Sequence, residues 1–99
     1  MLNINKTLAE KDLVVALEGR LDTMTAPDLE SQLQASLAGV EHLEFNLEKL
    51  EYISSAGLRV LLSAQKTMNK QGDMVVRNAS DEVKEIFEVT GFTDILTIE

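Results

Sequence analysis

The chain has no cysteine, no tryptophan, one histidine and one proline in 99 residues, and its aromatics are one tyrosine and three phenylalanines. Each scarcity removes a class of function. Without cysteine there are no disulfides, no thiolate metal sites and no thiol nucleophiles. A lone His42 leaves too few imidazoles for a histidine metal centre or a histidine-based relay, and no metal or cofactor is expected. So few aromatic rings make a base-stacking platform for single-stranded nucleic acid a poor fit. Positive charge is also scarce. Nine Lys and Arg face 17 Asp and Glu, a formal charge of −8, which argues against nucleic acid and against an anionic membrane surface, since both bind through basic side chains. No apolar run approaches the ~20 residues of a membrane helix. Met1–Lys6 lacks the continuous apolar core of a signal peptide, so the expected location is cytoplasmic.

What is present is ordinary for a globular protein. Hydrophobic residues make up 44% and charged residues 26%, enough apolar side chains for one core and too few charges for a disordered chain. The length fits one domain spanning residues 1–99. Residues 2–8 and 12–19 read as two strands joined by a tight polar turn at Glu10-Lys11 and ended by Gly19. After a loop at 20–24, Pro27 suits a first helical turn, where its missing N–H has no partner to lose. Leu29, Leu33 and Leu37 then recur every fourth residue until Gly39. Leu43, Phe45 and Leu47 alternate with Glu44, Asn46 and Glu48, a strand with one buried and one wet face. A helix of about 14 residues follows Gly57, with Leu58, Leu61, Leu62, Gln65 and Met68 as its inner stripe. Gly72 ends it, Met74–Val76 is a short strand, Ser80 caps a third helix bearing Val83, Ile86 and Phe87, and residues 95–98 read as a last strand.

The order β-β-α-β-α-β-α-β predicts a small α/β domain. Right-handed crossovers give a mostly parallel sheet with an antiparallel N-terminal edge hairpin and helices mainly on one face. Such a sheet gathers the C-terminal ends of its parallel strands on one edge. That edge holds the loops containing Asp22 and Thr23, Ser54 and Ser55, and Asn78 to Ser80.

Catalytic motifs are missing. There is no G-x-G-x-x-G, no Walker loop, no G-x-S-x-G elbow and no calcium loop. His42 reads as a solvated residue at a strand end, and nothing in the sequence supplies a base to activate a serine. The informative segment is Tyr52-Ile53-Ser54-Ser55-Ala56-Gly57-Leu58-Arg59, where two serines meet a helix N-terminus. A serine there is an N-cap by default, worth ~1 kcal/mol. Gly57 in a first turn costs up to ~1 kcal/mol against alanine, which implies close approach by a partner or a phosphate.

The same segment resembles the signature of STAS domains, the anti-sigma factor antagonists: a strand, then Asp-Ser-[Ser/Thr/Ala]-Gly-Leu, then an apolar helix. Gly19-Arg20-Leu21-Asp22 with Thr25-Ala26, Asn46-Leu47-Glu48-Lys49-Leu50, and Gly91-Phe92 resemble three further family motifs. The resemblance implies a non-enzymatic, monomeric switch. Its partner would be an anti-sigma factor serine kinase, an ATPase of histidine-kinase type, which phosphorylates the serine that falls on Ser55. Ser54 stands where the family carries Asp, and is the second-choice acceptor. Asp22, Thr23, Ser54, Ala56, Gly57 and Arg59 are the expected partner-binding residues. An alternative is a STAS adaptor that is not phosphorylated, such as a subunit of a lipid-transport ABC ATPase.

Overall fold

Leu13, Val15 and Leu17 are buried while Val14 and Ala16 are half-exposed, so the alternation of the second strand sets an inner and an outer sheet face. A computed structural model describes residues 2–99. In chain order its elements are β1 (Leu2–Ala9), β2 (Asp12–Leu21), α1 (Ala26–Ser36), β3 (His42–Ile53), α2 (Ser55–Gln71), β4 (Asp73–Arg77) and α3 (Asp81–Thr90). A short 3-10 turn follows at Phe92–Asp94. The strands form one sheet in the order β1-β2-β3-β4. β1 pairs antiparallel to β2, whereas β2–β3 and β3–β4 are parallel. This is the expected architecture. Because strand order follows chain order, the crossovers through α1 and α2 put both helices on the same face. Phe45, Leu47, Leu61, Met68, Val83 and Phe87 fill the core between sheet and helices. The other face, with Glu44, Asn46 and Val75 half-exposed, stays open to solvent.

Several boundaries differ from the sequence expectation, each for a physical reason. β2 does not stop at Gly19 but runs to Leu21. Gly19 has φ 107 and marks one of two register shifts between β2 and β3. That backbone is cheap only for glycine, and bulges are where strands use it. β3 runs on to Ile53, and its 12 residues pair with the 10 of β2. The excess is absorbed where Ala16↔Asn46 passes to Glu18↔Lys49 and where Gly19↔Leu50 passes to Arg20↔Tyr52. Leu47, Leu50 and Ile53 are therefore all buried at a spacing of three, which a regular strand, with its period of two, could not achieve.

α2 is 17 residues long rather than about 14, because it begins at Ser55. Its inner face holds Leu58, Leu61, Gln65 and Met68 as expected, but Leu62 is only half-buried. Val60 and Ala64 are buried instead and line a groove with Leu33 of α1 and Leu37, the residue that caps its C-terminus. The expected strand at 95–98 is reduced to a single parallel bridge between Val76 and Ile98. Leu96 turns into the core, its amide bonded to the Phe92 carbonyl, so this segment is committed to the turn before it reaches the sheet.

His42 lies exposed at the start of β3, as expected, with its Nδ1 2.8 Å from Asp73 Oδ1 on β4. The hydrogen bond to Asp73 and its charge, helped by Asp12 and Glu41, raise the imidazole above its ordinary 6.5. A raised pKa stabilises the fold fully below the ordinary value and loses that contribution as pH rises through the folded value. We expect the His42 ring to titrate above 6.5 by NMR. Asp73→Asn should bring the midpoint down, and an unchanged midpoint would show that the pair does not form in solution.

Candidate functional site

The ends of β2 and β3 lie side by side, with Leu21 opposite Ile53. The chain leaves the sheet at both places on the same edge. The link between them is a hydrogen bond from the Ser54 N–H to the Leu21 carbonyl, 2.9 Å long. Beyond it, one chain forms the loop Asp22–Thr25 and the other the first turn of α2.

The two serines have different jobs. Ser54 has an extended backbone and is the N-cap of α2, its Oγ accepting the Gly57 N–H at 3.4 Å. It is half-buried. Ser55 is the first helical residue and is exposed. Among the described residues, its hydroxyl takes part in no side-chain hydrogen bond. The default reading of a serine at this junction, N-capping, thus applies to Ser54 and leaves Ser55 free.

The charge around this helix end is unusual for so acidic a chain. α1 carries Asp28 in its first turn and α3 carries Asp81 and Glu82, but α2 carries no acidic residue there. Helix N-termini hold a partial positive charge from unpaired N–H groups, which carboxylates ordinarily balance. At α2 no carboxylate of the helix's own first turn supplies that balance. Arg59 is exposed and stands four residues after Ser55, on the same helix face one turn on. Side chains on a helix lean toward its N-terminus, so Arg59 adds positive charge on the side of Ser55.

Gly57 corrects one expectation. Close approach does occur there, but from inside the domain. A methyl group on Gly57 would lie 2.6 Å from Leu21 Cγ and 2.9 Å from Ile53 Cγ1. Gly57 is buried and presents no side chain to a partner. Ala56 is half-buried against the core. The glycine lets α2 settle onto the end of the sheet, with Leu21 and Ile53 as its floor.

Asp22 organises the neighbouring loop. Its Oδ1 accepts the Met24 and Thr25 amides at 3.0 and 3.1 Å. Thr25 Oγ1 accepts the Asp22 amide at 2.9 Å and donates to the Arg20 carbonyl at 2.9 Å. The Asp22 carbonyl also accepts the Ala26 amide at the start of α1, at 2.8 Å. The Thr25 amide, then those of Met24 and the Thr25 hydroxyl, with Arg20 nearby, hold the Asp22 carboxyl below its ordinary 3.8. Arg20 lies over the Tyr52 ring, 4.5 Å from its centroid, which steadies the adjoining strand ends. Thr23 is exposed at the tip. Met24, beside it, was not among the expected contact residues, yet its side chain is 84% exposed. A methionine in a polar loop carries no periodic signal, so its exposure shows only in the fold.

The edge therefore unites Asp22, Thr23, Ser54, Ser55 and Arg59, while Asn78 sits at the end of β4 with φ 61, bonded to Asn46 as a turn residue. Among the described residues no three His, Asp or Glu side chains gather as a metal site. Among the described residues no helix is long and apolar enough to cross a membrane. What remains is a small α/β module that offers a free serine hydroxyl on a strand-to-helix edge.

The sequence profile of the STAS domain matches residues 3–99, and the chain belongs to the STAS domain family. It is 31% identical over 99 residues to the anti-sigma-B factor antagonist of Staphylococcus aureus, covering 98% of this chain and 92% of that protein. Its fold matches an anti-sigma factor antagonist from Mycobacterium paratuberculosis with a TM-score of 0.89 at 22% identity, over 99% of this chain and 85% of that one. It also matches the Bacillus cell fate determinant SpoIIAA in its phosphorylated form, with a TM-score of 0.75 at 17% identity, over 100% of this chain and 91% of that one.

Two substitutions test the local construction. Ser54→Ala should cost about 1 kcal/mol by removing the cap. Gly57→Ala should cost about 1–2 kcal/mol, since overpacking against Leu21 outweighs the gain in helix propensity. In a domain of this size each kcal/mol lowers the melting temperature by roughly 4–8 °C. Calorimetry that finds Gly57→Ala more stable than the parent would show that α2 is not seated on Leu21.

Proposed function

We propose that this domain is an anti-sigma factor antagonist. In this reading it binds an anti-sigma factor serine kinase while Ser55 is unmodified, frees a sigma factor, and is released when Ser55 is phosphorylated. The observation that carries the proposal is the free, exposed Ser55 hydroxyl on the first turn of α2, beside a serine that already supplies the cap. The relatives give support: the Staphylococcus aureus protein is an anti-sigma-B factor antagonist, and SpoIIAA has a phosphorylated form. The domain itself is substrate and ligand, not enzyme.

Phosphate on Ser55 adds about −1.5 to −2 charges at a helix N-terminus whose own first turn carries no carboxylate. Within the domain this is neutral or mildly favourable, by about 0.3–1 kcal/mol. Phosphorylation therefore leaves the fold intact and acts at the interface. A dianion forced against a surface fitted to a hydroxyl loses several kcal/mol, and each 1.4 kcal/mol is about tenfold in affinity. The same arithmetic gives a switch of 10²-fold or more.

Incubation with the cognate kinase and ATP, followed by mass spectrometry, should place one phosphate on Ser55. Ser55→Ala should abolish it, and Ser55→Asp should bind the kinase at least about tenfold more weakly than the parent while melting within a few degrees of it. Phosphate on Ser54 instead, or capture of an ABC ATPase with no modification at either serine, would overturn the assignment.

A further inference from the structure

The two outer strands of the sheet are finished differently. On β4 the Val76 amide donates to the Thr97 carbonyl and the Glu99 amide to the Val76 carbonyl, so the C-terminal segment covers part of that edge. β1 is the other edge. Among the described residues it pairs with β2 alone, in one unbroken register from Leu2↔Gly19 to Ala9↔Asp12. An eight-residue strand thus keeps the backbone groups of one side unpaired.

Exposed edges are normally guarded by a proline, a bulge, a very short strand or outward charge, because an open edge templates another strand. β1 has no proline and no register shift. Its one charged side chain is Lys6, whose Nζ is turned back to Ser36 Oγ at the end of α1, 2.9 Å away. Residues 2–9 contain no Asp or Glu in a chain that has 17. Two copies of this edge therefore meet without the repulsion that the net charge of −8 imposes over the rest of the surface.

The side chains select the partner. Leu2, Ile4, Lys6 and Leu8 lie on the helix side, opposite Gly19, Leu17, Val15 and Leu13 of β2. Asn3, Asn5 and Thr7 lie on the open face. Two antiparallel copies of β1 keep all helices on one face only if even-numbered residues oppose even-numbered ones. Centred on Lys6, such a pairing sets two ammonium groups against each other. Centred on Ile4, it leaves Leu8 uncovered. Centred on Asn5, it matches residues 2–8 in full. Leu8, 62% exposed, then meets the half-buried Leu2, and the apolar stem of Lys6 lies over Ile4. Self-matching of this kind is what a two-fold interface requires.

We propose that a second copy of this chain pairs antiparallel with β1 about a two-fold axis at Asn5, joining two four-stranded sheets into one. This departs from the monomer that the family resemblance implies. The strands of the two copies run in opposite directions, so the two Ser55 edges lie at opposite ends of the joined sheet and both stay open. The pairing therefore stands or falls independently of the role of Ser55. A single strand pair falls at the low end of interface sizes, below about 1,200 Å², which makes the dimer weak and dependent on concentration.

Sedimentation of the full chain should show a dimer at high concentration that dissociates on dilution. Asn5→Lys and Asn5→Asp, at an exposed position, should each weaken the dimer at least about fivefold. An equimolar mixture of the two should recover the affinity of the parent to within about twofold, because opposite charges then face each other across the axis. The chain has no cysteine, so an introduced thiol has only its own copy to join. Asn5→Cys should be oxidised by dioxygen to a covalent dimer, whereas Thr7→Cys, which faces Asn3, should stay unlinked. A parent that remains monomeric at about 1 mM, a dimer that neither Asn5 charge substitution disturbs, or equal cross-linking at positions 5 and 7 would overturn the proposal.

Discussion

The site depends on one contact between neighbouring strand ends. The Leu21 carbonyl accepts the Ser54 amide, and the Leu21 side chain fills the notch left by Gly57. The first interaction fixes where β3 ends relative to β2. The second fixes how deeply α2 sits. Burying a leucine completely stabilises by about 1.5–3 kcal/mol, so this is a structural joint as well as an alignment device. Everything exposed on the edge follows from it. Leu21 faces inward, so Asp22 begins the turn outward; Gly57 faces inward, so Ser55 and Arg59 lie on the outer side of the helix.

Electrostatics then separates this helix end from the others. The net charge of −8 is a property of the whole surface, and a phosphate changes it little. What differs is distribution. The first turns of α1 and α3 carry carboxylates, and that of α2 does not. The nearest acid on the edge, Asp22, belongs to the neighbouring loop, where its carboxylate is bonded to the Met24 and Thr25 amides.

Much of this was legible in the sequence. The periods of two and of roughly 3.6 located the strands and helices, Ser80 was readable as a cap, and the order of elements implied the sheet. Residues 46–53 were harder, because Leu47, Leu50 and Ile53 recur at a spacing that does not suit a regular strand. Only pairing against β2 reveals the bulges that reconcile them. Gly19 looked like a terminator because glycine both ends strands and bulges them. Gly57 signalled close approach correctly, but composition cannot say from which side. Ser54 and Ser55 were indistinguishable as a dipeptide; backbone geometry assigned the cap. Met24 had no pattern around it to mark it.

The register shifts in β3 have a consequence for how this module can change. β3 holds 12 residues against 10 in β2, yet both strands finish together. A strand that lost one of its surplus residues would still be a strand, but its exit would turn to the other face and carry the helix start with it. The hairpin turn between β1 and β2 has no such tie to the edge. Insertions there leave the edge in place, whereas a change in the count of residues from the first shared rung to the serine would move Ser55 off it. In this domain the length of a strand is itself a functional quantity.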